Sequence, residues 1–288
     1  MTNRCTHSVP EPRRILPAVA FFGVFELAGC SVLVDADRPQ CSTNADCTNR
    51  GAAFAGAVCN AGLCESDSQW ACESVLFGDA PSYTLTMHLQ EIVAFAPLPH
   101  VNAQLCRRLD VTCKDPVIST ISDDEGVVAM QIETGFDGYV QFIDSKITPS
   151  LYFLTPPTTG DLDLPIRLTT PFVAAGIVAS AGGSSWLSDR GIILLNAFDC
   201  QGNPAANISY AIDSALTSDT FIFYLVNALP TTSVTATDYT GYGGLVNMPA
   251  GVTTISAVLE PSGRKVSKLS VLVRAGFVSY SSVTPNSL

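Results

Sequence analysis

The chain has 288 residues, of which 47% are hydrophobic and only 14% are charged. It can therefore bury a substantial core, and this composition excludes a chain that is disordered throughout. The formal net charge is −11 and no run of basic residues is present, which excludes nucleic-acid binding driven by counterion release and attraction to an anionic membrane surface. We find no motif for a cofactor or a metal, and we predict neither.

The N-terminal segment has the parts of an export signal. Arg13 and Arg14 precede an apolar run from Ile15 to Leu27. This run is too short to span a bilayer, because a spanning helix needs about 20 apolar residues. A basic stretch, a short apolar segment and small residues before a cysteine are typical of a secretory signal. The alternative is an N-terminal helix packed on a domain.

Leu27-Ala28-Gly29-Cys30 resembles the bacterial lipobox, in which the chain is cut before the cysteine and the thiol receives diacylglycerol. This resemblance implies a signal peptide over residues 1–29, a lipid anchor at Cys30 and a polar tether over residues 30–40. Lipobox proteins carry further acylation at the same residue, and stable anchoring takes more than one chain. By resemblance to enteric sorting rules, Ser31 implies the outer membrane of the cell envelope.

Removing residues 1–29 from the 288 leaves 259, with 12 basic and 24 acidic residues. That length is comfortable for two domains. Because this excess of acidic residues is repelled by anionic membrane surfaces, we expect the predicted lipid to attach the protein to the membrane.

The ten cysteines indicate an oxidising compartment. Cys5 would be lost with the signal and Cys30 would be acylated, which leaves an even set, as expected for disulfides in an exported chain. Reduced, buried cysteines in a cytosolic protein are the alternative. The remaining eight are Cys41, Cys47, Cys59, Cys64, Cys72, Cys106, Cys113 and Cys200.

Residues 41–72 are predicted to form a small disulfide-rich module. They contain too little apolar material for a core and therefore need covalent staples. Four cysteines allow three connectivities, from which we choose Cys41–Cys59 and Cys47–Cys64. A zinc site is the alternative, but zinc modules favour C-x2–4-C pairs, whereas the spacings here are C-x5-C and C-x4-C. The "C…D-C…G-x-C" pattern resembles small modules that follow the lipobox in many myxobacterial-type lipoproteins.

Residues 80–169 are predicted to form a first β-sandwich. Alternate residues from Tyr83 to Leu89 are apolar, which predicts a half-buried strand with His88 on its polar face. The same period recurs at residues 128–132 and 140–142. A strand from Val101 leads to Cys106, which we expect to pair with Cys113 across a strand-end loop.

The segment Ser122-Asp-Asp-Glu-Gly126 is predicted to be a turn between strands, with glycine supplying a positive φ. Its three carboxylates raise a calcium site as the alternative. The spacing of an EF-hand loop is absent.

Residues 170–189 are predicted to be a linker with a short helix over 172–181. Thr170 can cap that helix, Pro171 suits its first position, and Gly182 can end it. Because its residues are apolar all round, we expect the helix to be buried between the two β units.

Residues 190–288 are predicted to form a second β-sandwich. The run 191–198 is nearly all apolar, which indicates a strand covered on both faces, and several short strands follow with Gly, Pro and Asp turns between them. The sequence therefore predicts an all-β fold, with two Ig- or transthyretin-like β-sandwich domains after the disulfide-rich module.

The second unit also carries three ordered pieces: Asp199-Cys-Gln-Gly-Asn-Pro204, Thr237-Asp-Tyr-Thr-Gly241 and Asn247-Met-Pro-Ala-Gly251. They resemble the "D-x-x-G-x-P … T-D-x-x-G … N-x-P-A-G" pattern of carboxypeptidase regulatory-like domains, which are transthyretin-like seven-strand sandwiches. A weaker copy lies in residues 80–170, with Thr134-Gly-Phe136 in place of the Pro-Ala-Gly turn. The resemblance implies a fold and a role as spacer or binding module, and no chemistry.

The sequence lacks a nucleophile elbow, a zincin helix, a phosphate loop and a dinucleotide fingerprint. His88 and His100 are the histidines that remain after the signal, and a triad of distant residues would have to use one of them. We therefore predict a non-catalytic protein, with a cryptic hydrolase as the less favoured alternative.

The predicted function is a structural or binding role at the cell envelope, with a glycan or protein partner. Surface aromatics on a β-sandwich can bind sugar, and a carbohydrate- or peptidoglycan-binding accessory protein is the alternative function. The candidate aromatics are Trp70, Trp186 and Tyr242, for which a place in the core or an interface is the other interpretation.

Overall fold

The computed structural model describes residues 39–50, 54, 57–60, 62–66, 70, 72, 81–157, 160–213, 216–260 and 262–285. The predicted signal peptide, the lipid-attachment residue Cys30 and nearly all of the tether lie outside these residues. Within them, no helix has the length and the apolar character needed to cross a membrane.

The N-terminal module is a small helix beside a β-hairpin. Among its described residues, the buried core consists of Cys41, Cys47 and Ala57, with Phe54 packed against them. Two disulfides close it, Cys41–Cys59 and Cys47–Cys64, which is the pairing chosen from the sequence. The elements are α1 (Asn44–Thr48), β1 (Ala57–Asn60) and β2 (Leu63–Ser66).

The first sandwich places a three-stranded sheet, in the order β6-β3-β9, against the strands β5, β4, β7 and β8. The predicted alternation in its first strand is present, since Tyr83 and Leu85 are 3% and 0% exposed. The strands are β3 (Ser82–Glu91), β4 (Asn102–Arg107), β5 (Ile118–Ile121), β6 (Val127–Glu133), β7 (Gly138–Ile143), β8 (Ser150–Phe153) and β9 (Leu162–Leu168).

The second sandwich places another three-stranded sheet, in the order β11-β15-β16, against five further strands. The predicted all-β fold, with two sandwiches after a disulfide-rich module, is therefore confirmed. The strands are β10 (Arg190–Ala197), β11 (Ile208–Ile212), β12 (Phe221–Val226), β13 (Leu229–Thr231), β14 (Tyr242–Pro249), β15 (Gly251–Leu259), β16 (Arg264–Val273) and β17 (Val278–Val283).

One sheet of nine strands runs through both sandwiches, in the order β13-β12-β14-β10-β17-β8-β7-β4-β5. On β7, Val140 and Phe142 belong to the first core, whereas Tyr139 belongs to the second. Because neighbouring residues of a strand point to opposite faces, the two cores lie on opposite faces of this sheet. That is why β7 is buried on both faces over Gly138–Phe142.

The linker contains the predicted helix α2 (Pro171–Ser180), capped by Thr170, whose hydroxyl accepts a hydrogen bond from the backbone N–H of Val173. The prediction that the helix is buried is wrong. Ala174 and Val178 are its buried residues, and Phe172 is 88% exposed. The helix covers one face of the second half of the long sheet, and the other helix face remains open because no second layer lies over it in the described residues.

Trp70 and Cys72, which end the predicted N-terminal module, are attached to the second sandwich. Trp70 is 7% exposed within the second core, and its carbonyl accepts a hydrogen bond from Arg264 at 3.5 Å. Cys72 forms a disulfide with Cys200, in the turn after β10. The chain thus contacts the second sandwich before it builds the first one.

Candidate functional site

The two sandwiches join where β8 and β17 pair in parallel, with Ser150 opposite Val278 and Tyr152 opposite Tyr280. We call this junction and the side chains around it the seam. The Tyr280 hydroxyl accepts a hydrogen bond from the backbone N–H of Thr169 at 3.0 Å, and burial raises the pKa of Tyr280. Main-chain pairing and buried side chains therefore hold the seam together.

Arg274 stands at the seam, in the turn between β16 and β17. Its Nε donates to the carbonyl of Val111 at 2.7 Å, its Nη2 donates to the Tyr139 hydroxyl at 2.5 Å, and its Nη1 donates to Oε1 of Gln141. Its guanidinium also lies 5.4 Å from the ring centres of Tyr139 and Phe277. An arginine of the second sandwich thus contacts the loop after β4 and strand β7 of the first sandwich.

Arg108 makes the reciprocal link from the first sandwich. Its Nε pairs with Asp137 at 2.5 Å, and its Nη1 donates to the carbonyl of Ser270 on β16 at 3.0 Å. The guanidinium lies 5.9 Å from the ring centre of Phe153. Two arginines, one from each sandwich, therefore bridge the same junction.

The loop that receives Arg274 is closed by the Cys106–Cys113 disulfide that the sequence predicted. Asp110 organises its interior. The Asp110 carboxylate accepts hydrogen bonds from the backbone N–H groups of Asp115 at 3.0 Å, Lys114 at 3.1 Å and Thr112 at 3.3 Å. These bonds hold the pKa of Asp110 below its usual range.

Substituting Asp110→Asn is expected to remove part of the acid sensitivity of the fold. A carboxylate with a lowered pKa stabilises the native state above its unfolded pKa of about 4, and that contribution disappears as the pH falls through the lower native value. The melting temperature of the variant should therefore lie below that of the wild type at pH 7 and approach it as the pH falls to about 2.

Thermal melts from pH 7 to pH 2 measure this convergence. Asp189→Asn is the matched control, since Asp189 is an exposed aspartate outside the loop. A gap between Asp110→Asn and the wild type that stays constant with pH would contradict the role given to the carboxylate.

An open cleft of about 650 Å³ lies at the seam. One wall is Val111 and Thr112 of the disulfide loop, and the other includes Val252 and Phe277 of the second sandwich, with Arg274 between them. Val111 and Val252 are 46% and 66% exposed. Ligand sites prefer clefts between domains that have mostly apolar walls and few polar groups, so this cleft is the candidate binding site.

The candidate aromatics do not come together. Trp70 is buried in the second core, and Trp186 is partly buried, with its Nε1 donating to the carbonyl of Arg190 at 3.1 Å. Tyr242 is 38% exposed and lies opposite Asn196 at the other end of β10. Arg190, which Trp186 contacts, and Asn196, which Tyr242 faces, are six residues apart on β10 and therefore roughly 20 Å apart. The three aromatics therefore form no joint platform for a sugar.

The two histidines lie on the surface of the first sandwich. Nε2 of His88 is 2.8 Å from Asp163, and Nε2 of His100 is 3.4 Å from Asp124. In the described residues neither histidine is hydrogen-bonded to a serine, threonine or cysteine side chain, so the geometry of a catalytic triad is not formed there.

At both sites considered for a metal, zinc in the N-terminal module and calcium in the turn 122–126, candidate ligand atoms are already bonded within the protein. Three cysteine sulfurs of the N-terminal module lie within 4.8 Å of one another, but each belongs to a disulfide and cannot act as a thiolate ligand. In the turn 122–126, the Asp123 carboxylate accepts from the backbone N–H groups of Glu125 and Val127, and Gly126 has a φ of 80°.

Sequence reasoning missed the seam residues. Arg274 is a lone cation in the otherwise apolar stretch 271–278, which is a signal that could have marked it. The sequence analysis left Cys72 and Cys200 unassigned, and their separation of 128 residues gave no local sign that they bond to each other. Nothing in the spacing of Asp110 or Tyr139 pointed to the junction.

The sequence matches no protein family and no curated protein. Solved structures align with it, among them the Bacillus anthracis TIE protein (11% identity, TM-score 0.25, 71% of this chain and 34% of that one). The shaft pilin SpaA from Lactobacillus rhamnosus GG (9%, 0.22, 72% and 98%) and the minor pilin GBS52 of Streptococcus agalactiae (12%, 0.22, 72% and 97%) also align. The chain spans about a third of the TIE protein. At these TM-scores the likeness carries no argument about function.

Proposed function

We propose that this chain is a lipid-anchored, non-catalytic protein of the bacterial cell envelope, which displays a stiff pair of β-sandwiches and binds a partner at the seam. The observation that carries the proposal is the Cys72–Cys200 disulfide, which ties the segment after the predicted anchor to the second sandwich. A pull on that segment would reach the β structure through a covalent bond.

The four disulfides among the described residues support an export pathway. Disulfides persist in oxidising compartments and are rare in the cytosol. Those of this chain join Cys41–Cys59, Cys47–Cys64, Cys72–Cys200 and Cys106–Cys113. The lipobox-like motif ending at Cys30 lies just ahead of this stapled region in the sequence, as in the myxobacterial-type lipoproteins that the N-terminal module resembles.

The proposal places the protein in the outer membrane, because Ser31 follows the cysteine. It gives the second sandwich the spacer or binding role of the carboxypeptidase regulatory-like domains it resembles. The non-catalytic role is supported by the seam itself, where Arg274 donates to carbonyl, amide and hydroxyl oxygens of the first sandwich and Arg108 donates to a carbonyl of the second, so that these bonds hold the two sandwiches together.

Replacing Cys30 by alanine is expected to abolish lipid attachment and to release the protein from membranes, since the thiol that receives diacylglycerol is lost. Cells fed an alkynyl fatty acid report this by in-gel fluorescence after reaction with an azide dye, and fractionation reports the release. Nearly all of the label should be lost, because a single site is proposed, and the protein should leave the membrane fraction, because two acyl chains give far stronger anchoring than none.

Cys5→Ala is the matched control, because it removes a cysteine from the segment that the lipobox resemblance assigns to the signal peptide. It should leave label and membrane fraction unchanged. A Cys30→Ala protein that still takes up the label and stays with the membrane would contradict the anchor.

A further inference from the structure

We propose that the cleft at the seam binds a small ligand with a carboxylate on an apolar body, and that the carboxylate pairs with the guanidinium of Arg274. This inference rests on the binding role proposed above and adds the chemical class of the ligand. It follows from the charge, the free donors and the walls of the cleft.

The first step concerns charge. Arg274 is half-buried at the cleft, and in the part of the chain that the structure describes no carboxylate lies within 4.0 Å of it. By contrast, Arg108 at the same seam pairs with Asp137. The carboxylate of Asp110 is near enough to act on Arg274 through its charge, but its oxygens accept from the backbone of its own loop. A cation withdrawn from water without a paired anion attracts one.

The second step concerns hydrogen-bond donors. A guanidinium has five N–H groups, and three of those on Arg274 donate, one from each nitrogen, to the neutral oxygens of Val111, Gln141 and Tyr139. One N–H on each Nη nitrogen has no partner among the described residues. Two such donors suit the two oxygens of a carboxylate, which arginine binds in a bidentate manner.

The third step concerns the walls. The side chains of Val111, Val252 and Phe277 give the cleft apolar sides, and its volume of about 650 Å³ falls in the range of small-molecule sites. An apolar ligand without charge would leave the Arg274 donors unpaired, and a bare inorganic anion would leave the walls exposed to water. A carboxylate on an apolar body satisfies both.

The cleft is rigid, which favours ligand binding. Arg274 is held by three bonds to the first sandwich, and Nε2 of Gln141 donates to Oε1 of Gln104 on β4 at 2.8 Å. The walls are a disulfide-closed loop, the start of β15, the end of β16 and the turn that follows β16. Preorganised groups lose little entropy when a ligand binds.

Saturation-transfer NMR on the purified full chain tests the proposal with two probes of the same chemistry, octanoate and N-acetyl-valyl-leucine. They distinguish a fatty acid from a peptide carboxyl terminus. Saturable binding of at least one of them is expected. The uncharged methyl ester of the probe that binds should bind at least about tenfold more weakly, because the ester has lost the charged acceptor for the two Arg274 donors.

Variants of Val252 locate the site, because this wall residue is 66% exposed and tolerates substitution without loss of core packing. Val252→Asp places a competing carboxylate in the cleft and should weaken binding about tenfold or more. Val252→Lys should keep or strengthen it. Leu229→Asp adds the same charge at an exposed residue of the distant edge strand β13 and should leave binding unchanged.

Three outcomes would overturn the proposal: no binding of either probe, equal binding of acid and ester, or equal binding to the wild type and Val252→Asp. Arg274→Lys adds a further check, since it keeps the charge but loses the paired donors and should bind more weakly than the wild type. The readout does not depend on the lipid at Cys30, so a failure here and a failure of the anchor are distinguishable.

Discussion

Replacing Cys72 and Cys200 together by alanine is expected to lower the free energy of unfolding by about 3 to 5 kcal/mol, the largest effect of removing any one of the four disulfides in the described part of the chain. The two cysteines are 128 residues apart in sequence. Opening so long a loop restores much conformational freedom to the unfolded chain, for which the loop-entropy treatment gives about 5 kcal/mol. The substitution should also loosen Trp70, which precedes Cys72 and is buried in the second core. Denaturation in guanidinium without reductant measures the loss.

The pair Cys106→Ala and Cys113→Ala is the matched comparison. These cysteines are separated by 7 residues, and the same treatment gives about 2.5 kcal/mol for so short a loop. Equal losses for the two double variants, or a larger loss for the short loop, would contradict the view that Cys72–Cys200 mainly restrains the unfolded chain.

Gly244→Ala is expected to destabilise the second sandwich by about 3 kcal/mol or more, because it overpacks a central strand of the long sheet. A Cβ atom at this position would lie 2.2 Å from the carbonyl oxygen of Ile193 and 3.0 Å from the ring of Phe223. Neither neighbour can yield easily, since β14 pairs with β10 on one side and with β12 on the other. The melting temperature should fall by at least several degrees for a loss of this size.

Gly176→Ala is the control for that substitution. Gly176 lies on the exposed side of helix α2, and nothing lies within 4 Å of an added Cβ. Alanine there should be neutral or stabilise by up to about 1 kcal/mol, because glycine is a poor residue inside a helix. If Gly244→Ala and Gly176→Ala melt at the same temperature, the close approach at Gly244 does not matter to stability.

Local sequence patterns predicted most of the elements, because each pattern reflects a physical requirement of one segment. The alternation from Tyr83 to Leu89 matches the buried face of β3, and the Thr170-Pro171 pair starts helix α2 as expected. The cysteine count required staples in a segment with almost no core. Each of these features can be predicted from one segment alone, from the alternation of a strand, the capping residues of a helix or the number of apolar residues.

The same local patterns do not predict what a segment packs against, and so they predict its burial wrongly. Helix α2 is apolar all round, which predicts burial, yet Phe172 is 88% exposed. Strand β7 alternates at Val140 and Phe142, which predicts one buried face, yet Tyr139 is buried on the other. In both cases the sequence carries the preference of a residue for an apolar environment, and the partner that supplies or withholds that environment comes from elsewhere in the chain.

The sequence by itself determined the all-β class and the need for disulfides in the N-terminal module, since these follow from local period, composition and the lack of a core; the structure selected Cys41–Cys59 and Cys47–Cys64 from the three possible pairings. Only the tertiary structure decided that one sheet runs through both sandwiches, that Cys72 bonds to Cys200 and that Arg274 lies in a cleft with Val111 and Val252. The disulfide joins residues 128 positions apart, and the bond from Arg274 to Val111 joins residues 163 positions apart. No local pattern encodes such a meeting, because it depends on how whole sheets align and pack.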